Sequence, residues 1–111
     1  MRNATTDRVI ATRIERLSSF YRRALGLLGR RSLEPDEGAW IAPCSAIHTI
    51  GMRVPIDVIF LDADGRIVRL EPGVRPNRPA LACRGAQAVV ELGCGALRES
   101  GLAVGDYLKI S

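Results

Sequence analysis

The six residues Ile56 to Leu61, IDVIFL, leave this chain little freedom. Side chains alternate between the two faces of a strand, and here both alternations are apolar except at Asp57. Such a strand has to be covered on both sides, so a layer of structure is expected above it and below it. Asp57 shares a face with Ile59 and Leu61, which puts its carboxylate beneath the surface. A buried carboxylate is strongly unfavourable unless it is paired and hydrogen-bonded. Arg53, of the same parity four residues earlier, His48 and the loop amides are its candidate partners. In the structural reading Asp57 anchors the 44–55 loop to the sheet. In the functional one it is a general base or a metal ligand.

Around this strand the chain reads as short strands and tight turns. Ala63-Asp64-Gly65 joins 56–62 to 66–71 as a hairpin, with a type I turn and Gly65 in the left-handed bulge position. Residues 8–11, 39–42 (with Trp40 inward) and 86–92 are further strands, and a Gly105-Asp106 turn leads into a short closing one. Residues 32–38 form a turn-rich connector in which Gly38 is free to take positive φ. Residues 44–55 have no clean periodicity, and 71–85, with three prolines and three arginines, read as a long surface loop. The 93–101 segment has room for one helical turn at most.

One longer helix is predicted, from Arg13 to Leu28. Thr12 and Glu15 have capping-box spacing. Ile14, Leu17, Tyr21, Ala24 and Leu28 follow at three- and four-residue steps, and Gly29 with Arg30 and Arg31 suits the carbonyl end. The expected architecture is α+β and β-dominated. It is a small rolled sheet or partly closed β-barrel, in a single domain over 1–111, with this N-terminal amphipathic helix packed on it.

Composition narrows the function. The formal charge is +4, carried almost wholly by arginine, with Lys109 the sole lysine. Arginine is the residue of bidentate carboxylate and phosphate recognition. The five aromatics offer no stacking platform and there is no recognition helix, so nucleic acid is not an expected partner. Gly93-Cys94-Gly95 lacks dinucleotide or P-loop spacing, and no cofactor is expected. Three cysteines without a CxxC pair argue against a disulfide framework and against a closed zinc site. The first residues contain no apolar signal-peptide core, and no segment is long and apolar enough to span a bilayer; the expectation is a cytoplasmic protein.

PCSAIHTIGMRVPIDVIFLDADGRIV, preceded by ERLSSFYRRALGLLGR and followed by AVVELGCGALRESGLAVGD, resembles the domain-of-unknown-function 192 family of prokaryotic proteins. The resemblance covers residues 9 to 110. It implies a compact β-rich domain with one flanking helix and no established activity. It also implies relatives that are often exported, although this chain shows no export signal.

The site expected from the residues centres on His48, the only imidazole, in the loop before the central strand. Cys44, His48, Met52, Arg53 and Asp57, with Arg75 and Arg78, are the candidate binding residues, and Arg84 extends the basic rim. Met52 and Cys44 also fit as core filling. Two readings stay open. One is a non-enzymatic binding or accessory module with a groove between the His48 loop and the 72–85 loop, taking a small anionic ligand or a protein partner. The other is a metal-assisted or cysteine-dependent hydrolase, which requires Cys44, His48 and Asp57 to converge.

Overall fold

The computed structural model describes residues 1–18 and 31–110. Its main element is a five-stranded sheet in the order β3-β4-β9-β6-β7, made of β3 (Arg13–Leu17), β4 (Glu37–Ile41), β6 (Ile56–Leu61), β7 (Ile67–Val74) and β9 (Ala88–Gly93). The pairing of β3 with β4 is parallel and the other three are antiparallel. A second sheet joins β1 (Arg2–Asn3) to β2 (Arg8–Val9) and to β10 (Leu108–Lys109). β5 (Ala46–Ile47) and β8 (Leu81–Ala82) form a two-stranded ladder. Among the described residues the one helix is α1 (Ala96–Ser100).

All six residues of β6 are buried, as the double-sided apolar run demands. Their alternation separates two cores. Ile59 and Leu61 pack with Ile67, Val90, Leu92, Ala96, Leu108 and Met1. Ile56, Val58 and Phe60 pack with Ile47, Met52, Val74, Leu81, Ala86 and Val89. The first core lies under α1 and the β1/β2/β10 sheet. The second is capped by the loops carrying β5 and β8. The 62–66 hairpin turn is as expected: Gly65 has φ +83°, its N–H donates to the Asp62 carbonyl at 3.1 Å, and the Asp62 Oδ1 accepts from the Asp64 and Arg66 amides.

Several expectations are corrected. Residues Arg13–Leu17, assigned to the start of a helix, form strand β3 along β4. Of the rest of that helix, Ser18 is described and residues 19–28 lie outside the described residues. Thr12 does not cap a helix: its hydroxyl donates to the Asp36 carboxylate at 3.0 Å. Asp36 also takes two guanidinium bonds from Arg13, at 2.6 and 3.2 Å. These contacts come from the start of β4, so a partner remote in sequence overrides the local helical pattern. Nor is the barrel closed: β3 and β7 stand at opposite ends of the main sheet and do not pair.

Gly38 lies inside β4 rather than in a turn. The long loop after Glu71 is shorter than expected, because β7 continues through Pro72 to Val74. Proline is tolerated there because β7 is an edge strand, with β6 its one partner in the sheet among the described residues.

Candidate functional site

Asp57 is 1% exposed, and its carboxylate is held by three main-chain amides. Gly73 donates to Oδ1 at 2.8 Å; Gly95 and Leu97 donate to Oδ2 at 3.1 and 2.9 Å. The local cause is a β-bulge. Ile56 is level with Val74 and Val58 with Glu71, so Asp57 alone faces both Pro72 and Gly73. The extra residue loses its ladder partner, and Gly73 at φ +61° turns its N–H to the carboxylate instead. On the other side Asp57 takes two amides at the start of α1, where Gly95, the N-cap, has no side chain to do so. Asp57 is therefore an anchor, but not of the 44–55 loop: it ties the β7 bulge to the 93–97 turn. Neither His48 nor Arg53 is among its partners.

The other candidates lie on the opposite face or at the other end of the sheet. Cys44 donates its main-chain N–H to Gln87 O at 3.0 Å, just before β9 begins, whereas Asp57 is level with Leu92 near its end. The Cys44 thiol, half-buried, donates to Ala46 O at 3.1 Å. Cys44 lines an open cavity of about 390 Å³ with Pro43, Ser45, Ala46, Ala86 and Gln87. Asp57 lines a different one, of about 450 Å³, with Pro72, Gly73, Cys94, Gly95 and Arg98. His48 is half-buried, and its Nδ1 accepts the Ile50 N–H at 3.2 Å. Met52 is buried in the second core. The hydrolase arrangement of Cys44, His48 and Asp57 is not assembled. Among the described residues no three His, Cys, Asp or Glu side chains gather to hold a metal.

The two loops expected to flank a groove are instead stitched together, and Thr49 does it. Its hydroxyl, in a residue 1% exposed, donates to Arg75 O at 2.6 Å and accepts from the Arg78 N–H at 2.8 Å. Its amide donates to Arg78 O at 2.9 Å, and its carbonyl accepts from Asn77 N–H at 2.8 Å. Gly51 N–H adds a bond to Asn77 Oδ1 at 3.1 Å. Arg53, Arg75 and Arg78 are exposed at this junction, and Arg84 is exposed just past β8. Sequence reasoning passed over Thr49, because a threonine in an aperiodic loop carries no pattern that marks it as buried. It also passed over Glu91, a second carboxylate 1% exposed, whose parity with Val89 on β9 was the available signal.

The joined loops have an unusual charge pattern. Residues 38–56 and 72–90 contain no Asp or Glu but include Arg53, Arg75, Arg78 and Arg84. Of the 16 basic residues, these four leave twelve against 12 acids, so the formal +4 resides in these two segments. They supply Ile47, Met52, Leu81 and Ala86, the cover of the second core. The first core's surroundings are mixed in sign instead, with Asp7, Asp64, Glu99 and Asp106 in the segments that cover it.

The fold is shared with two solved structures. A putative transcription regulator from Sinorhizobium meliloti aligns with TM-score 0.76 at 24% identity, over 86% of this chain and 79% of that one. A protein of unknown function from Novosphingobium aromaticivorans gives the same score and identity, over 86% of this chain and 73% of the other. No curated protein matches the sequence. The match that extends over nearly the whole length, residues 1–110, is to the model of the DUF192 family, described as an uncharacterized ACR, and the chain belongs to that family.

Proposed function

We propose that this chain is a non-catalytic binding or accessory module that recognises an anionic partner through the outer surface of its two stitched loops. The observation that carries the reading is the acid-free pair of segments, 38–56 and 72–90, with four exposed arginines. Among the described residues the guanidinium groups of Arg53, Arg75 and Arg84 have no carboxylate partner, and that of Arg78 bonds Ala80 O at 3.3 Å. Arginines not neutralised by neighbouring acids raise the local concentration of anions and bind carboxylate or phosphate oxygens in pairs. Thr49 holds Arg75 and Arg78 in fixed relation to the His48 turn, so little order has to be gained on binding. In this reading Met52 supports the loop from beneath, and Asp57 supports the scaffold from the other face.

The test is an amide-resolved NMR titration with poly-glutamate. Shifts concentrated in 48–54 and 75–84, weakened by salt, are the expected result. Shifts spread evenly over the surface, or none, would overturn the reading.

A further inference from the structure

We propose that the stitched loops dock on a membrane surface rich in anionic headgroups, with Ile50 entering the interface between the flanking arginines. This inference rests on the anion-binding reading and names its partner. Ile50 is 52% exposed at the turn of the His48 loop, a place where solvent-facing chains ordinarily carry glycine, asparagine or serine. Its backbone is held: its own N–H goes to His48 Nδ1, and those on either side are tied through Thr49 and Gly51 to the 75–78 turn. An aliphatic side chain kept in water on a fixed turn is unfavourable there and favourable at an acyl boundary.

Around it stand Arg53, Arg75 and Arg78, in segments without a single carboxylate that a negative surface would repel. The five hydrogen bonds between the loops close the space that would grip an extended peptide, which favours a broad charged surface over a polypeptide end. The contrast within the molecule is Val104, 62% exposed but two residues from Asp106, and Tyr107, which lines a cavity with Asp64. Those apolar groups have neighbours of both signs, Asp64 and Asp106 beside Lys109 and Arg66, so an anionic bilayer gains less there than at the acid-free loops. One apolar wedge with a basic surround gives reversible, salt-sensitive attachment.

Vesicle flotation of the full chain tests this, with phosphatidylcholine vesicles against equal parts phosphatidylcholine and phosphatidylserine. Binding to the anionic vesicles only is expected, weakened about fivefold by Arg75→Ala. Ile50→Ser should weaken it several-fold, and Val104→Ser should leave it unchanged. Equal binding to both vesicle types, or an Ile50→Ser variant that binds as well as the parent, would overturn the inference. Poly-glutamate binding without vesicle binding would assign the surface to an acidic polypeptide and overturn the membrane partner alone. Loss of both would remove the anion-binding reading as well.

Discussion

The two faces of β6 are covered by different means. On the Asp57–Ile59–Leu61 face, one ionisable group reaches two separate pieces of backbone, the β7 bulge and the start of α1. On the Ile56–Val58–Phe60 face, a neutral hydroxyl performs the comparable task, joining the Thr49 turn to the 75–78 turn. The difference has a physical origin. Charge-assisted bonds to three amides offset the desolvation of a carboxylate, whereas the neutral Thr49 hydroxyl donates to one carbonyl and accepts from one amide. The first cover is thereby fixed as scaffold. The second, tied by weaker bonds and stripped of acids, is left to present its charge outward.

Removing the stronger tie should have the largest effect. Asp57→Ala leaves the Gly73, Gly95 and Leu97 amides without their acceptor and should cost about 3–5 kcal/mol in urea unfolding. Asp57→Asn, which keeps one acceptor oxygen, should cost about half of that. A loss under ~1 kcal/mol for the alanine variant would mean that the bulge and α1 hold themselves.

Thr49→Val should cost about 2 kcal/mol, because the part-buried Arg75 carbonyl and Arg78 amide lose their partner. Hydrogen exchange should quicken at Met52 and Asn77 while Gly95 and Leu97 keep their protection. Since the two anchors share no bonding partner, Asp57→Asn and Thr49→Val should add to within about 0.5 kcal/mol. A larger coupling would show that the two covers are not independent.

Gly73→Ala tests the bulge alone. A methyl group there meets nothing within 4 Å, so the expected loss of about 1 kcal/mol is the backbone strain of φ +61°. The smallest effect belongs to the edge of the sheet, outside both covers. The hydrogen bond from Arg13 holds the Asp36 carboxyl below the ordinary aspartate value of 3.8, and Asp36 in return raises Arg13. A depressed folded value contributes stability above the unfolded one, and that contribution disappears as the pH falls from about 3.8 through the folded value. Both groups are exposed, so Arg13→Ala should return the Asp36 titration, followed by NMR, toward its ordinary range with little change in stability at neutral pH.

Much of the central strand was legible because its signal is local. Double-parity apolarity in IDVIFL forced two covers, and Asp64-Gly65 forced a tight turn; both depend only on the geometry of a few successive residues. Asp57 was legible as buried for the same reason. The identity of its partners was not, because Gly73, Gly95 and Leu97 are 16, 38 and 40 residues away and contribute only backbone, which has no sequence signature. The start of the expected helix failed at Arg13–Leu17 because Ile14 and Leu17 suit a helical stripe, yet Asp36 and β4 offered a ladder and an ion pair.

By itself, then, the sequence determined that a buried central strand carries one sunken acid, that a tight hairpin follows it, and that the chain's excess charge is arginine. Which face each cover took, what the acid holds, and that two loops are closed on one another by Thr49 were decided only by tertiary structure. The reason is range. Alternation and turn chemistry act between neighbours, whereas hydrogen bonds to distant backbone depend on which segments the completed sheet brings together.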